Sequence, residues 1–483
     1  MNSLVTDIFT LAGRSVVLSA VADGLKIDVP SKPVNNALLK WEDVLGATNK
    51  DKPAGVLLHA LVRVNHGKRQ ERTIALHATA GTDTQEVERW IQIVTFFADP
   101  TRVKTETLPT LDHVLQHQPK KRKYLVIINP ASGQSKGVKL FQKVEAFFAH
   151  SSINVTKLLT ERSGHATELA TSIDHTLYDA LVVVGGDGVI YEVIQGLMKR
   201  PDWSEVIQTP LAILPAGGGN GLAKSLTEAS GEKYSFETCA YLAIKGQPQA
   251  LDLATARGKS TESFIFLSLS WAFMAETDLE SEKFRFAGSQ RFTISALSKI
   301  MSGKTWSGSF SYLEPPADEV VPKYWDDVDA KAGAAPKLTL LPPSVEDPKP
   351  ETWKTIEGDF SLFWAMNTAW AATDGLVAPS AELDDGFMHV VIMPGRVSKA
   401  EYMSVLLSID SGGHVEKPSV QVIKTRAFEV KAPMSDIMMV DGERFDGGFC
   451  QVNSPSTVPS SFTFDTLQVE VHRGMARVLA VPK

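Results

Sequence analysis

One acidic residue stands where a buried strand turns into a helix, and it is the first candidate for chemistry. The run 181–184 is entirely apolar, as in a buried parallel strand, and it ends at Gly185-Gly186-Asp187-Gly188. The residues that follow carry apolar side chains at helical spacing. In open α/β sheets, ligands bind at this strand-to-helix edge. Asp187 is therefore predicted to lie at a ligand site.

Two further glycine-rich turns follow apolar runs of the same kind. The run 211–214 leads into Pro215-Ala216-Gly217-Gly218-Gly219-Asn220-Gly221, and the run 124–128 leads into residues 129–137, which are rich in Gly, Ser and Lys. Glycine lets backbone N–H groups close on a phosphate, because it has no Cβ and tolerates positive φ. The three turns therefore predict an anion-binding edge of the sheet.

A carboxylate among anion-binding turns needs its own explanation. Asp187 cannot be a phosphate ligand, since like charges repel, so it is interpreted as a general base or a metal contact. The alternative is an ordinary β-turn aspartate, because Gly-Asp-Gly is also common turn chemistry. The second glycine turn favours the functional interpretation.

The composition sets the class of protein and excludes several functions. The chain has 483 residues, of which 43% are hydrophobic and 22% charged, which predicts two or three globular domains. Its net charge of −7 argues against broad nucleic-acid binding. Cys239 and Cys450 are too few cysteines for a disulfide framework or a zinc site, so we expect a reducing compartment and oxygen ligands for any metal. Membrane spans and a signal peptide are not evident, so a soluble or peripherally membrane-bound protein is expected.

The first predicted part of the chain is an N-terminal β-rich accessory domain with a linker, residues 1–118. Its strands and closing helix resemble a pleckstrin-homology module, and a plain accessory β domain is the alternative. The predicted strands are 15–20, 25–29, 56–64 and 72–77, and the helix extends from Asp83 to Pro100. Residues 101–120 are predicted to be a linker.

Two larger predicted domains follow. Residues 119–252 alternate between apolar strands and amphipathic helices, which predicts a parallel sheet with helical crossovers. Residues 253–483 are rich in strands and predict a mostly antiparallel β-sandwich. Its predicted strands are 264–269, 360–365, 388–393, 420–423, 427–430 and 467–471. A proline-rich, acidic insert at 313–357 is expected to be mobile.

Together these motifs resemble those of the sphingosine kinases, which belong to the diacylglycerol-kinase-like superfamily of lipid kinases. The similarity is carried by Asn129-Pro130 and by the motifs at 159–162, 186–188, 214–217, 268–271, 277–283 and 440–443. It covers roughly residues 124–475, and the first 118 residues lie outside it. The resemblance implies a three-layer α/β nucleotide-binding domain with a parallel sheet, followed by a lipid-binding β-sandwich.

The resemblance also implies an ATP-dependent kinase, in which Asp187 takes the proton from a lipid hydroxyl as that hydroxyl attacks the γ-phosphate. The implied nucleotide-binding residues are Asn129, Ala131, Ser132, Gly133, Thr160, Gly186, Gly188, Glu192, Gly217, Gly218, Gly219, Arg285, Arg291, Asp441, Gly442 and Glu443. Glu282 and Glu443 are the implied contacts of Mg²⁺. The guanidinium forks of Arg285 and Arg291 suit phosphate oxygens, and the alternative for each arginine is a solvated helix face.

Asp278 is the residue on which substrate choice is expected to depend. A sphingoid base such as sphingosine or sphinganine carries a free ammonium beside the hydroxyl to be phosphorylated, and a carboxylate can hold that cation. Ceramide and diacylglycerol offer no cation and would leave the carboxylate unpaired. The family pattern implies that Ser268 contributes to the lipid site, and an ordinary sheet serine is the alternative. Leu269 and Phe273 are further candidate substrate contacts; Phe273 is one of the large apolar residues that could line a cavity for the lipid tail, and ordinary core is its alternative.

Two positions depart from related patterns. Val189 follows Gly-Asp-Gly, where the wider superfamily often has Thr. Sphingosine kinases have an apolar residue at this position, so Val189 favours sphingosine kinases over other members of the superfamily. Gly218 stands where sphingosine kinases commonly have Ser, which removes one hydroxyl from the phosphate site. Backbone N–H groups are then left to bind the phosphates.

A lipid substrate implies that the protein meets a membrane surface peripherally, from the cytoplasm. The amphipathic spacing of residues 292–301 suggests a gate that rests on the membrane. We expect that the protein can form a homodimer and that it does not bind nucleic acid.

Other functions share parts of this pattern. Residues 218–225 nearly match a P-loop, but Ala223 replaces the glycine before Lys224, which excludes that motif. NAD kinases share the Gly-Gly-Asp-Gly turn, ceramide kinases share the lipid-kinase fold, and a catalytically idle lipid-binding scaffold would keep the fold without the chemistry. The block 278–291 favours a lipid over a dinucleotide, and the proton acceptor Asp187 argues against a scaffold.

Overall fold

The N-terminal lobe is a seven-stranded antiparallel sheet closed by one helix. The computed structural model describes residues 3–31, 37–51, 54–79, 84–103, 105, 107–281, 291–316, 319–333, 335–433, 436–445 and 466–482. The elements of the lobe are β1 (Ser3–Leu11), β2 (Arg14–Val21), β3 (Gly24–Asp28), β4 (Ala37–Lys40), β5 (Val44–Asp51), β6 (Ala54–Arg63), β7 (Arg69–Ala78) and α1 (Thr84–Ala98). The strands lie in the order β4-β3-β2-β1-β7-β6-β5, and α1 buries Trp90 in the core of the lobe. The predicted β-rich lobe is confirmed.

Some elements of this lobe were not predicted. The four predicted strands and the helix are present, but β1, β4 and β5 were missed, and the expected helix start at Asp83 lies outside the described residues. Part of the predicted linker forms α2 (Leu111–Gln116), whose first turn is capped by a hydrogen bond from the N–H of His113 to the Thr110 hydroxyl. The linker prediction was wrong here, because a six-residue helix is too short to show periodicity.

The second lobe is a parallel sheet with helices between its strands, as predicted. Its elements are β8 (Arg122–Ile128), α3 (Ser132–Ser135), α4 (Gly137–His150), β9 (Ile153–Leu159), α5 (His165–Ser172), β10 (Ala180–Gly185), α6 (Asp187–Met198), α7 (Trp203–Val206), β11 (Leu211–Pro215), α8 (Gly221–Ala229) and α9 (Phe236–Lys245). Its strands lie in the order β11-β10-β8-β9, and each neighbouring pair is parallel. Residues 180–184 are all 0% exposed, which explains why that run is apolar throughout.

The third lobe is built from antiparallel strands around a second core. Its elements are β12 (Gln247–Arg257), β13 (Glu262–Ile265), β14 (Ser268–Ala272), α10 (Phe273–Ser281), α11 (Arg291–Ser302), β15 (Trp306–Tyr312), β16 (Lys354–Met366), β17 (Trp370–Ala372), β18 (Gly375–Leu376), β19 (Met388–Pro394), α12 (Lys399–Leu406), β20 (Gln421–Thr425), β21 (Ala427–Lys431), β22 (Met438–Val440), β23 (Glu443–Arg444) and β24 (Thr466–Ala480). Buried aromatic side chains, among them Trp271, Phe310 and Phe363, fill this core. Within the described ranges, no helix is long and apolar enough to cross a bilayer.

Two long strands join the second and third lobes. β12 and β24 pair along almost their whole length, from Gln247 opposite Ala480 to Arg257 opposite Gln468. β24 also touches β11 through Val478, so the sheets of the two lobes are continuous. β12 therefore continues past residue 252, where the sequence suggested that one domain ends, although its pairing with β24 shifts register between Leu251 and Leu253.

The predicted strand 264–269 is wrong as a single element. The structure divides it into β13 and β14, with a break at Phe266 and Leu267. Periodicity could not reveal the break, because the run is apolar on both sides of it.

The described part of the proline-rich insert is anchored, which corrects the expectation of a mobile segment. The rings of Tyr324 and Trp325 pack against Trp203 of α7, with centroids 6.3 and 6.1 Å away. The indole N–H of Trp325 donates to the carbonyl of Met475 (3.0 Å). Backbone N–H groups of residues 339–341 donate to the carboxylate of Glu470 in β24. Aromatic packing and these hydrogen bonds therefore hold a segment whose proline content suggested mobility.

A buried ion pair joins the N-terminal lobe to the second lobe. The side chains of Arg69 and Glu232 are each 1% exposed, and Arg69 donates through Nη2 (2.6 Å) and Nε (3.2 Å) to the two carboxylate oxygens. The guanidinium also lies 3.7 Å above the ring of Tyr241. Nearby, the Lys245 ammonium donates to the carbonyls of Trp41 (3.2 Å) and of two other residues of the N-terminal lobe, and burial lowers the pKa of Lys245 to about 7.

Removal of the buried carboxylate should loosen this contact. Glu232→Ala removes one of the two carboxylates that bind the buried Arg69 guanidinium and leaves Asp43 as the other, so we expect a loss of about 1.5–3 kcal/mol in the free energy of unfolding, the size of a hydrogen bond to a charged group. Arg63→Ala is the matched control, since Arg63 binds the same carboxylate (2.7 Å) but its side chain is 54% exposed; that change should cost at most about 1 kcal/mol. Denaturant unfolding measures both, and equal losses would contradict the assignment.

Candidate active site

Three glycine-rich turns converge at the carboxyl ends of β8, β10 and β11. The N–H of Ala216 donates to the carbonyl of Gly185 (2.8 Å) where β10 and β11 end in register. A Cβ built on Gly217 would lie 2.4 Å from the Cα of Gly186, so the first two turns meet backbone to backbone. The turn after β8 contains Gly133 (φ +61°), where a Cβ would lie 2.8 Å from the carbonyl oxygen of Ala216. The three predicted turns therefore form one surface.

The carboxylate of Asp187 connects the first turn to the second. Its Oδ2 accepts a hydrogen bond from the N–H of Gly221 (3.0 Å), and its Oδ1 accepts one from Leu222 (3.3 Å). These are the first two residues of α8, so their N–H groups have no partner within the helix. The carboxylate therefore lies at the positive end of the α8 dipole.

Asn220 holds the second turn in the shape that this contact requires. Its backbone is left-handed (φ 59°), a conformation that Asn tolerates better than most residues. Its side-chain oxygen accepts from the N–H of Gly217 (3.0 Å), and its side-chain nitrogen donates to the Gly217 carbonyl (2.9 Å). Asn220 was not singled out from the sequence, although an Asn within a glycine run is a turn signal.

The surroundings of Asp187 favour a basic carboxylate. The residue as a whole is partly exposed, but protein atoms surround its carboxyl group. This removal from water raises the pKa of Asp187 above its ordinary value, and the hydrogen bonds from Gly221 and Leu222 oppose the rise without cancelling it. A carboxylate with a raised pKa is suited to accept a proton near neutral pH.

A hairpin of the third lobe, β17–β18, covers the second glycine turn. Ala372 forms an isolated β-bridge with Asn220, and the N–H of Thr373 donates to the carbonyl of Gly219 (3.0 Å). A Cβ on Gly221 would lie 2.6 Å from the carbonyl oxygen of Ala371, so glycine is required there. Sequence analysis missed this hairpin, because its two short strands carry no strong period.

Another turn of the third lobe brings an acidic side chain close to Gly188, the residue after Asp187. Glu443 begins β23 and is exposed, and its Oε1 lies 2.8 Å from the position that a Cβ on Gly188 would take. Asp441, two residues earlier, is 3% exposed. Burial raises the pKa of Asp441 to about 7, and the nearby charge of Asp187 adds to the rise. Residues distant in the sequence therefore meet at one cleft between the second and third lobes.

Several other predicted nucleotide contacts are engaged in shaping the loops. The Asn129 side chain accepts from the N–H of Ala131 (2.9 Å), and the N–H of Thr160 donates to the carbonyl of Ile128 (2.9 Å). The carboxylate oxygens of Glu192 accept hydrogen bonds from the N–H groups of Gly164 (2.9 Å) and Ala166 (3.0 Å), where α5 begins. Ser132 and Gly133 lie in the turn after β8. The side chains of Asn129 and Glu192 therefore help to shape the loops at this edge of the sheet.

On the lipid side, the structure describes only some of the predicted residues. Ser268 and Leu269 begin β14 and are buried, and Phe273 begins α10 with its ring 4.7 Å from that of Tyr402. Asp278 lies in α10. Arg291 is the first residue of α11. The side chains of Asp278 and Arg291 are not among those described, and Glu282 and Arg285 lie outside the described residues.

The cleft fits a nucleotide and its metal ion through backbone groups and one carboxylate. Gly186 and Gly217 approach so closely that a side chain on either would displace the other, so both turns stay bare and a phosphate can come close to their backbone. Among the residues that the structure describes, no cluster of three or more His, Cys, Asp or Glu is suited to a metal. Mg²⁺ commonly binds through substrate phosphates and one or two carboxylates, so Glu443 beside Gly188 suits that arrangement.

Comparisons with known proteins identify two domains in the chain and relatives that align with most of it. Residues 123–256 match the diacylglycerol kinase catalytic domain, and residues 355–460 match the YegS C-terminal NAD kinase beta sandwich-like domain. Human sphingosine kinase 1 is 35% identical over 345 residues, which are 67% of this chain and 86% of that protein. Sphingosine kinase 1 of Arabidopsis thaliana is 31% identical over 370 residues, 74% of this chain and 75% of that protein. The crystal structure of a diacylglycerol kinase from Bacillus anthracis aligns with a TM-score of 0.45 and 16% identity, over 75% of this chain and 98% of that one.

Gly218 allows a direct test of the phosphate turn. A Cβ on Gly218 would meet nothing within 4 Å, so Gly218→Ser should change the free energy of unfolding by no more than about 0.5 kcal/mol. The added hydroxyl should lower the KM for ATP severalfold, since one hydrogen bond contributes about 1 kcal/mol. Gly217→Ser is the control and should be destabilising, because its Cβ meets the Gly186 backbone. Steady-state kinetics with thermal unfolding measure both effects, and a higher KM in Gly218→Ser would refute the assignment of this turn.

Proposed function

The chain belongs to the sphingosine kinase family, and we propose that it transfers the γ-phosphate of ATP to the primary hydroxyl of a sphingoid base. The observation that carries the proposal is the position of the Asp187 carboxylate. It lies between two glycine turns, at the N-terminus of α8 and next to a hairpin of the third lobe. This position supports a proton acceptor placed beside bound phosphates.

In the proposed reaction, Asp187 accepts the hydroxyl proton at a carboxylate oxygen while the substrate oxygen bonds to the γ-phosphorus. The bond from that phosphorus to the oxygen bridging to the β-phosphate breaks, and ADP leaves with the bonding electrons. Backbone N–H groups of the glycine turns hold the phosphates and keep them in line with the hydroxyl. A bound Mg²⁺ would neutralise negative charge on the phosphates. Glu443 and Glu282 are the residues proposed to hold it.

The proposed nucleotide site combines the three turns with loops from both lobes. The residues assigned to it are Asn129, Ala131, Ser132, Gly133, Thr160, Gly186, Gly188, Glu192, Gly217, Gly218, Gly219, Arg285, Arg291, Gly442 and Glu443. The convergence of the three turns and the approach of Glu443 to Gly188 support this assignment. Asp441 shares the hairpin of Glu443, and its side chain is buried.

The lipid headgroup is assigned to β14 and α10, which follow each other directly in the chain. Ser268 and Leu269 begin β14, and Phe273 and Asp278 belong to α10. The Asp278 carboxylate is proposed to hold the ammonium of the sphingoid base in a charge-assisted hydrogen bond. Amide lipids, which have no cation, would be disfavoured there.

The three lobes are proposed to be the accessory unit 1–118, the catalytic unit 119–252 and the lipid-binding unit 253–483. Seven antiparallel strands followed by a single helix support the interpretation of the first as a pleckstrin-homology-like module. The buried Trp90 of that helix, whose indole N–H donates to the Asp7 carboxylate (2.7 Å), ties the helix to β1.

A sphingoid base resides in membranes, so the proposal includes a cytoplasmic protein that meets a membrane surface peripherally. The amphipathic α11 is the proposed contact, and Met301 near its end is 66% exposed. A homodimer is the proposed assembly. Vesicle flotation of an Ile294→Glu, Leu297→Glu double variant and sedimentation of the wild-type chain test these two points; unchanged flotation or a purely monomeric chain would reject them.

Loss of the proton acceptor should abolish turnover while nucleotide binding persists. Asp187→Asn cannot accept the proton, so kcat should fall by about 10²–10⁴-fold. The KM for ATP should hold or decrease, because a negative charge near the phosphates is removed. In the wild type, Asp187 acts only when unprotonated, so kcat should fall as pH falls through its raised pKa, above the ordinary value of 3.8. Kinetics across pH measure both, and an active Asp187→Asn variant would reject the mechanism.

Substrate choice should depend on the ammonium of the lipid. With labelled ATP, wild-type protein should phosphorylate sphingosine and sphinganine but not ceramide or diacylglycerol. Asp278→Asn should lower kcat/KM for sphinganine by about 10–100-fold, the size of one charged hydrogen bond, and leave the KM for ATP unchanged. Efficient phosphorylation of ceramide, with no response to Asp278→Asn, would instead indicate a ceramide kinase.

A further inference from the structure

The hairpin that carries Glu443 turns within two residues. β22 and β23 pair Val440 with Glu443, which leaves Asp441 and Gly442 as the turn. Both have positive φ, 52° and 81°, and two consecutive residues with positive φ are the signature of a type I′ turn. Asp-Gly is among the favoured pairs for this turn. The tight turn places Glu443 at a fixed distance from β22, on the side of Gly188.

The Asp441 side chain is used inside the protein. Its Oδ1 accepts from the N–H groups of Leu267 (2.9 Å) and Ser268 (2.8 Å), and its Oδ2 accepts from that of Phe266 (3.0 Å). The N–H of Asp441 donates to the carbonyl of Ser268 (2.8 Å). The side chain is buried, so each of these donors would otherwise lack water as a partner. Residues 266–268 are the break between β13 and β14, and Asp441 supplies the acceptors that this break requires.

The same residue therefore touches both halves of the cleft. On one side, its turn presents Glu443 to Gly188 and the nucleotide turns. On the other side, its carboxylate fixes Ser268, the first residue of β14, and β14 leads directly into α10 and Asp278. Pairing of Leu269 with Val440 continues this contact along β14.

We propose that Asp441 is a positioning residue, which sets the lipid-binding strand β14 in register with Glu443 and the nucleotide turns, and that it does not itself bind nucleotide or metal. This inference rests on the proposed function. It removes Asp441 from the nucleotide contacts that the family resemblance implies, because both of its carboxylate oxygens already accept backbone N–H groups.

Asp441→Asn separates positioning from direct binding. Asn tolerates the positive φ and forms a good turn with Gly442, but its amide nitrogen opposes backbone donors where an oxygen accepted them. We expect the KM for sphinganine to rise at least about 10-fold, as for loss of a charged hydrogen bond, while the KM for ATP and the Mg²⁺ requirement change less than about 3-fold. Gly442→Ala is the matched control, because it strains the turn at φ 81° but keeps the carboxylate. Because Gly442 belongs to the proposed nucleotide site, that variant should raise the KM for ATP, and its KM for sphinganine should rise by less than that of Asp441→Asn.

Backbone amide exchange provides a second measurement that does not depend on activity. Protection of the amides of residues 266–268 should be lost in Asp441→Asn, retained in Gly442→Ala, and unaffected in the wild type by Mg²⁺ and ADP. Wild-type protein that fails to phosphorylate sphinganine would reject the proposed function and leave this exchange result to decide the role of Asp441. Three results would overturn the positioning role. In Asp441→Asn, these are a rise in the KM for ATP or in the Mg²⁺ requirement with no change in the KM for sphinganine, or an equal rise in all three quantities. In the wild type, it is loss of protection of these amides on addition of ADP.

Discussion

The contact between the Asp187 carboxylate and the first N–H groups of α8 is the interaction on which the cleft depends. A carboxylate withdrawn from water needs donors, and the free N–H groups of a helix N-terminus are the least costly source of them. The donors lower the pKa while burial raises it, and the balance leaves a carboxylate that is more basic than in water. The contact is possible only because Gly186 and Gly217 bring the two turns together without intervening side chains.

The third lobe is joined to the second by paired strands. β12 and β24 continue from one core into the other, and the β17–β18 hairpin pairs with the glycine turn at Asn220. Glu443 lies beside Gly188, on a hairpin that Asp441 ties to β14. A shared sheet and two small hairpins therefore position β14 relative to the three glycine turns, and the proposed phosphoryl transfer requires such fixed positions.

The sequence predicted the parallel sheet and its turns well, because fully buried strands such as 180–184 are apolar at every position. It failed where a contact across long sequence separation decides the local structure. The break between β13 and β14 depends on Asp441, about 175 residues away. The proline-rich insert is held by Trp203 and Glu470, which composition cannot reveal. Asn220 and the β17–β18 hairpin acquire their roles only when the second and third lobes meet.

The most direct test of the account is a crystal structure of the chain with Mg²⁺, ADP and sphinganine. The account predicts that the primary hydroxyl lies within about 2.6–3.2 Å of an Asp187 carboxylate oxygen, the range required of a general base. It also predicts that the ADP phosphates lie against the turns at Gly186 and Gly217. A lipid hydroxyl bound away from Asp187, or phosphates bound away from these turns, would contradict it.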